Sequence, residues 1–103
     1  MAAAARSSVK SKMIKAKGMF VVNNDKGLHT RPSTELVKCA AAFKADVQLS
    51  YQDCQVNAKS LLGILMLAAH KGARIGIEAI GEDAKEAVET IVNLARNNFY
   101  INY

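Results

Sequence analysis

The sequence predicts an α+β fold, a two-layer open-faced sandwich in which three helices cover one face of a four-stranded antiparallel sheet. Two observations predict it. Short β-favouring segments, two of which alternate apolar and polar residues, are interspersed with segments whose apolar residues recur at helical spacing. These segments follow one another in the order β-α-β-β-α-β-α, and their one-sided apolar surfaces bury one another when the helices pack on the sheet.

Four segments have the pattern of short strands. The first is a continuous β-favouring run, while the second and fourth alternate polar and apolar residues, as a strand with one buried face does. Only Gln52-Asp53 separates the second segment from the third, which predicts a hairpin. The four predicted strands cover residues 18–23, 47–51, 54–58 and 74–80.

Two helices are predicted in the second half of the chain. Ser60 stands at a favourable N-cap position, and the apolar residues behind it predict a short helix that ends by Gly72. His70 falls in the last turn of that helix, where a cation interacts favourably with the helix dipole. We therefore expect His70 to cap the helix end rather than to take part in chemistry. Acidic residues 82–83 open the third helix, which ends at residues 97–98.

The charge of the chain is unevenly distributed. Of the 103 residues, 50% are hydrophobic and 22% are charged, and the formal net charge is +5. Residues 1–17 contain five basic residues and no acidic one, whereas the nine other basic residues balance the nine acidic ones. We therefore interpret residues 1–17 as a disordered basic extension, and residues 18–103 as one domain that is not biased towards nucleic acid.

Apolar runs and cysteines bear on the environment of the chain. The longest apolar run, residues 61–69, is too short to cross a bilayer, so no transmembrane segment is expected. Cys39 and Cys54 lie in no metal-binding or redox motif. We expect two reduced thiols in a cytoplasmic protein, with no metal and no organic cofactor.

The most informative segment is GLHTRP, at residues 27–32. It places His29 just before a helix predicted over residues 32–44, which opens with the only proline of the chain. Backbone N–H groups and the helix dipole favour an anion at such a position, and Arg31 adds a planar donor fork suited to phosphate oxygens. This arrangement predicts a histidine that carries a phosphoryl group, and a surface or capping histidine is the alternative that these residues leave open.

Two motifs at the expected separation resemble those of the HPr family, the histidine-containing phosphocarriers of the bacterial phosphoenolpyruvate-dependent sugar phosphotransferase system. Residues 27–32 resemble the active-site signature of the family, and residues 57–63 resemble the segment around its regulatory serine. The resemblance covers residues 18–94. It implies that His29 accepts a phosphoryl group through Nδ1 from phosphorylated enzyme I and passes it to enzyme IIA components of sugar transporters. Arg31 would stabilise the charge on the transferring group.

The resemblance also implies sites of regulation and docking. Ser60 matches the serine that HPr kinase modifies in some bacteria. Partner proteins are expected to dock on apolar surface around the first two helices, with Leu61, Leu62 and Leu65 as candidates and Thr30 beside the histidine. Core packing is the alternative role for the leucines.

Several alternatives for the function remain open. The resemblance implies a monomeric carrier that needs a donor and an acceptor protein, rather than an independent enzyme. A regulatory relay, either of nitrogen type or with Ser60 phosphorylation as its output, is the alternative to sugar uptake. A module that binds nucleic acid or membranes through the basic extension would show steep salt dependence, and the balanced charge of residues 18–103 argues against it. Lys26 stands where many family members have a small polar residue.

Overall fold

The computed structural model describes residues 14–101, which form a four-stranded antiparallel sheet with helices on one face. The strand order, β1-β4-β2-β3, confirms the predicted α+β open-faced sandwich. A short 3-10 turn, Asn98–Tyr100, follows the last helix. The elements are β1 (Lys15–Val21), α1 (Thr30–Ala41), β2 (Asp46–Tyr51), β3 (Cys54–Asn57), α2 (Leu61–Met66), β4 (Arg74–Ile80) and α3 (Ala84–Arg96).

Strand β1 begins three residues earlier than predicted. Lys17 is the register partner of Glu78 in β4, and the Nζ atoms of Lys15 and Lys17 lie 3.1 and 3.8 Å from Glu78 Oε2. The alternation of the strand keeps both lysines exposed while this carboxylate faces them across the ladder. These two lysines therefore belong to the sheet and not to the predicted extension, of which residues 1–13 lie outside the described residues.

The core lies between the sheet and helices α1 and α3. Most inward-facing side chains of the central strands are at most 3% exposed, and each such aliphatic residue stabilises the fold by about 1.5–3 kcal/mol. No helix within residues 14–101 is long and apolar enough to span a bilayer. The buried strand and helix residues include Leu36, Val47, Leu49, Ile75, Ile77 and Ile91.

The end of the chain also enters the core. Phe99 is 1% exposed, and its ring packs edge-to-face against Phe20 of β1 with 6.0 Å between the ring centroids. Residues Asn98, Phe99 and Tyr100 all have a positive φ, between 55° and 57°. This left-handed turn ends α3 and lets the aromatic side chain reach β1.

The bounds of α1 and α2 differ from the prediction, and α1 ends at Ala41 rather than at residue 44. Helix α1 begins at Thr30 and not at Pro32, which is tolerated as the third helical residue because the N–H groups of the first turn have no intrahelical acceptor. Helix α2 ends at Met66, since Ala68 adopts a φ of +50° that breaks it. His70 thus lies in the following loop, and the predicted capping role in the last turn is wrong.

Asp83 precedes α3 and joins two parts of the chain. Its carboxylate accepts hydrogen bonds from the backbone N–H groups of Lys44 and Ala45, both at 2.9 Å, rather than capping its own helix. The Lys44 bond, supported by the Ala45 bond and opposed by partial burial, holds the pKa of Asp83 below its usual range. The carboxylate thus fixes the loop after α1 to the start of α3.

Candidate functional site

Two loops meet beneath the N-terminus of α1, residues 22–29 and residues 67–73. The Lys71 ammonium donates to Asp25 Oδ1 at 2.8 Å, and this bond holds the pKa of the Asp25 carboxyl below its usual range. The loops are therefore attached to each other along their length. Backbone hydrogen bonds run from Val22 N to Ala73 O (2.9 Å), from Leu28 N to Ala69 O (3.0 Å) and from Gly72 N to Val22 O (2.7 Å).

Gly27 allows the two loops to approach closely. Its φ is +72°, a conformation that other residues rarely adopt, and a Cβ at this position would collide with the carbonyl oxygen of Ala69. The turn directs Leu28 into the core, where it is 4% exposed. It leaves the next residue, His29, in an extended conformation at the N-cap of α1.

His29 begins α1 without capping it. Its carbonyl accepts the Ser33 N–H at 3.1 Å, but its imidazole makes no capping hydrogen bond. The side chain is half-buried and its Nε2 atom is buried. Ser33, fully buried, donates its hydroxyl to Leu28 O at 3.0 Å and so fixes the backbone just before the histidine.

The N-terminus of α1 is electrostatically suited to an anion. Thr30 and Arg31 are its first two residues and are exposed, and no acidic side chain lies in its first turn. The helix dipole and the guanidinium both favour negative charge here. The predicted residues His29, Thr30 and Arg31 therefore lie together where α1 begins.

An open cleft of about 240 Å³ lies beside the imidazole. It runs between the loop before α1 and the loop after α2, and side chains from both loops and from α2 form its walls. The cleft brings a second histidine and a lysine into the surroundings of His29. Its lining residues are Lys26, Leu28, His29, Leu65, Ala68, Ala69 and His70.

Ser60 confirms the predicted N-cap of α2. Its Oγ accepts the Gly63 N–H at 3.0 Å, and its extended backbone precedes the first helical residue. Leu61 and Leu62 follow and remain 37% and 69% exposed, while Ile64 takes the buried position of this helix. Leu62 thus lies largely outside the core, Leu61 is covered over more than half of its surface, and Leu65 lies half-buried in the cleft.

Comparisons with known proteins agree with this geometry. The sequence profile described as the PTS HPr component phosphorylation site matches residues 16–97. The chain belongs to the HPr family. HPr proteins are phosphocarriers of the phosphotransferase system, and the match includes both motifs.

Solved structures of HPr proteins are similar along most of the chain. An HPr from Thermoanaerobacter tengcongensis has a TM-score of 0.81 and 30% identity, over 85% of this chain and 99% of its own. The phosphocarrier protein HPr of Bacillus anthracis has a TM-score of 0.73 and 35% identity, over 77% of this chain and 94% of its own. A Mycoplasma histidine-containing phosphocarrier protein has a TM-score of 0.75 and 30% identity, over 82% of this chain and 94% of its own.

Three features of this HPr-like site were not identified from the sequence. The buried Ser33 bond, the Asp25–Lys71 bridge and the cleft shared with His70 all join residues whose relation depends on the tertiary fold. Ser33 carries one local signal, a small hydroxyl residue in the first turn behind a proline. The other two features have no local signal.

Proposed function

We propose that the chain carries a phosphoryl group on Nδ1 of His29, which it accepts from phosphorylated enzyme I and passes to enzyme IIA components of sugar transporters. The observation that carries the proposal is the imidazole at the start of α1, half-buried with Nε2 turned into the protein. Burial of Nε2 supports Nδ1, rather than Nε2, as the nitrogen that accepts the phosphoryl group. Similar structures of phosphocarrier proteins support the same role.

The transfer step needs positioning and charge stabilisation more than acid–base chemistry. The Nδ1 lone pair of His29 forms a bond to phosphorus while the bond from phosphorus to the donor atom breaks. The donor atom keeps that bonding pair and takes up a proton from solvent, while the hydrogen on Nε2 of His29 stays on the ring. The N-terminus of α1 and Arg31 stabilise the negative charge on the phosphoryl oxygens during transfer.

Docking of both partners involves the exposed surface of α1 and α2. Leu62 and Met66 are each 69% exposed, and Thr30 is exposed beside the phosphoacceptor. Such exposed apolar side chains on one short helix support the proposal that partner proteins bind here. The open cleft suits a carrier, because two different proteins have to reach His29 in turn.

Ser60 is a regulatory phosphorylation site in this proposal, modified by an HPr kinase where the organism has one. A phosphoryl group there adds about two negative charges next to Leu61 and Leu62. At about 1.5 Å per helical residue, Ser60 lies roughly 7.5 Å along α2 from Leu65 in the cleft. The added charge thus acts on the docking surface and weakens binding of enzyme I.

We propose that the chain is a monomer, which the described edges of the sheet support. Edge strand β1 carries Lys15 and Lys17, and edge strand β3 has only four residues. Both features oppose pairing with another sheet. Two similar structures are described as dimers, an HPr of Thermoanaerobacter tengcongensis and Crh of Bacillus subtilis, so sedimentation of this chain at several concentrations tests the monomer directly. The free thiols of Cys39 and Cys54 support a location in the cytoplasm, because a reducing compartment keeps thiols unpaired.

The decisive experiment follows labelled phosphate from phosphoenolpyruvate through purified enzyme I. Wild type is expected to take up acid-labile, alkali-stable label, His29→Ala to take up none, and His70→Ala to remain labelled. Incubation of the labelled chain with sugar-type and nitrogen-type enzyme IIA proteins then distinguishes sugar uptake from a regulatory relay. Absence of label on wild type, beside an active control carrier, would contradict the proposal.

A further inference from the structure

Ser33 holds the backbone on both sides of the His29 side chain. The Ser33 hydroxyl donates to Leu28 O at 3.0 Å, and the Ser33 N–H donates to His29 O at 3.1 Å. We propose that Ser33 is a positioning residue for phosphoryl transfer, which fixes the peptide between Leu28 and His29 so that the imidazole lies where it can attack phosphorus. The inference rests on the proposed function of His29.

The other backbone groups of this segment are hydrogen-bonded as well. Leu28 N donates to Ala69 O at 3.0 Å. His29 N donates to Gly27 O at 2.9 Å. Every backbone N–H and C=O of Leu28 and His29 therefore has a partner. Of these four bonds, only the one from the Ser33 hydroxyl depends on a side chain, so a substitution can remove it alone.

The hydroxyl bond of Ser33 is not the usual one for a residue inside a helix. A helical serine or threonine commonly donates to the carbonyl four residues earlier, as Thr34 does to Thr30 O at 2.7 Å. Ser33 donates to the carbonyl five residues earlier, which lies before α1 begins. Its hydroxyl therefore ties the helix to the segment that precedes the histidine. Because Ser33 is fully buried, it acts through this backbone and does not touch the phosphoryl group.

Loss of the Ser33 hydroxyl is expected to displace the imidazole. A buried carbonyl without a donor is unfavourable, so the Leu28 carbonyl would turn towards another donor or towards water. The Cα of His29 moves with that peptide, and a reacting group displaced by about 1 Å can lose about 10²-fold in rate. The three remaining bonds limit the displacement, so we expect a loss of about three- to tenfold.

Rapid-quench transfer from phosphorylated enzyme I to an excess of this chain measures the effect. The rate constant at saturation reports the transfer step, and the half-saturating concentration reports docking. Ser33→Ala is expected to lower the rate constant about three- to tenfold and to leave the half-saturating concentration within about twofold of wild type. Partial unfolding would act differently, because a smaller folded fraction raises the half-saturating concentration and leaves the rate constant unchanged.

Two further variants complete the test. Ala40→Gly destabilises the same helix at a fully buried position about 10 Å further along it, and it should keep the wild-type rate constant. Ser33→Cys keeps a weak donor of similar size and should lose less of the rate constant than Ser33→Ala does.

Three results would overturn the role of Ser33 while leaving the carrier function intact. They are a wild-type rate constant for Ser33→Ala, an effect of that change on the half-saturating concentration alone, and an equal loss of rate constant in Ala40→Gly. A loss in Ser33→Cys as large as that in Ser33→Ala would likewise contradict a role for the donated hydrogen bond. A wild type that takes up no phosphate overturns both proposals.

Discussion

The N-termini of α1 and α2 are stabilised in different ways. At α2, the Ser60 hydroxyl accepts the Gly63 N–H, so the side chain that begins the helix also caps it. At α1, the His29 imidazole makes no capping bond, and the preceding backbone is held by Ala69 and Ser33 instead. The side chain at the start of α2 therefore stabilises its own helix, whereas at α1 the stabilising bonds are made to the backbone before the helix and the His29 side chain caps no N–H group.

Loss of the external support at α1 should have the largest effect. Gly27→Ala is expected to destabilise the fold by about 2–4 kcal/mol, because a positive φ and a backbone collision act together. It should also abolish phosphorylation by displacing His29. Denaturant unfolding and labelling through enzyme I measure the two effects.

Gly72→Ala is the matched control for this change. Gly72 also has a positive φ, +91°, but a Cβ there would meet nothing within 4 Å. Only the backbone strain of about 1–2 kcal/mol is expected. Equal destabilisation by the two variants would show that the contact with Ala69 does not hold the loop.

Ser33→Ala removes the second support of α1. The change leaves the Leu28 carbonyl without its buried hydroxyl donor and is expected to cost about 1–3 kcal/mol of unfolding free energy. Thr34→Ala is the comparison, because the Thr34 hydroxyl donates to Thr30 O at an exposed position and its loss should matter less. A smaller loss of unfolding free energy for Ser33→Ala than for Thr34→Ala would contradict a supporting role of the hydrogen bond from Ser33 to Leu28.

At α2 the comparison predicts a smaller change in stability. Ser60→Ala should lower the unfolding free energy by about 1 kcal/mol through loss of the cap. Ser60→Asn and Ser60→Asp both retain a capping side chain, so their stabilities should be close to wild type. Only the aspartate adds charge, and it alone should slow phosphoryl transfer from enzyme I in a time course. Similar rates for Asn and Asp would contradict electrostatic regulation at this site.

The start of α3 shows a third arrangement, in which the side chain of Asp83 binds the loop after α1 instead of capping its own helix. The lowered pKa of Asp83 means that its stabilising contribution is complete above the ordinary carboxyl pKa, near pH 4, and is lost as pH falls through the lowered value. Asp83→Asn should therefore be less stable than wild type at about pH 6, and the difference should shrink in acid. Thermal unfolding over this pH range measures it, with Asp25→Asn as the exposed-pair control. A constant difference at all pH values would be the contrary result.

Prediction from the sequence succeeded where a feature depends on nearby residues. The cap at Ser60 and the start of a helix beside His29 follow from side chains within one turn, and the structure has both. The predicted end of α2 was wrong because no residue near Ala68 indicates that its φ is positive. The adjacent Ala69 carbonyl pairs with the loop before α1, about forty residues earlier in the chain.

The sequence by itself determined the order of the elements, the α+β class and the segment that presents His29, Thr30 and Arg31. Such features follow from periodicity and from caps that involve a few neighbouring residues. Only the tertiary structure decided that Lys26 and His70 share a cleft and that Phe99 packs against β1. These contacts join distant parts of the chain, and their geometry exists only once the sheet and helices have packed together.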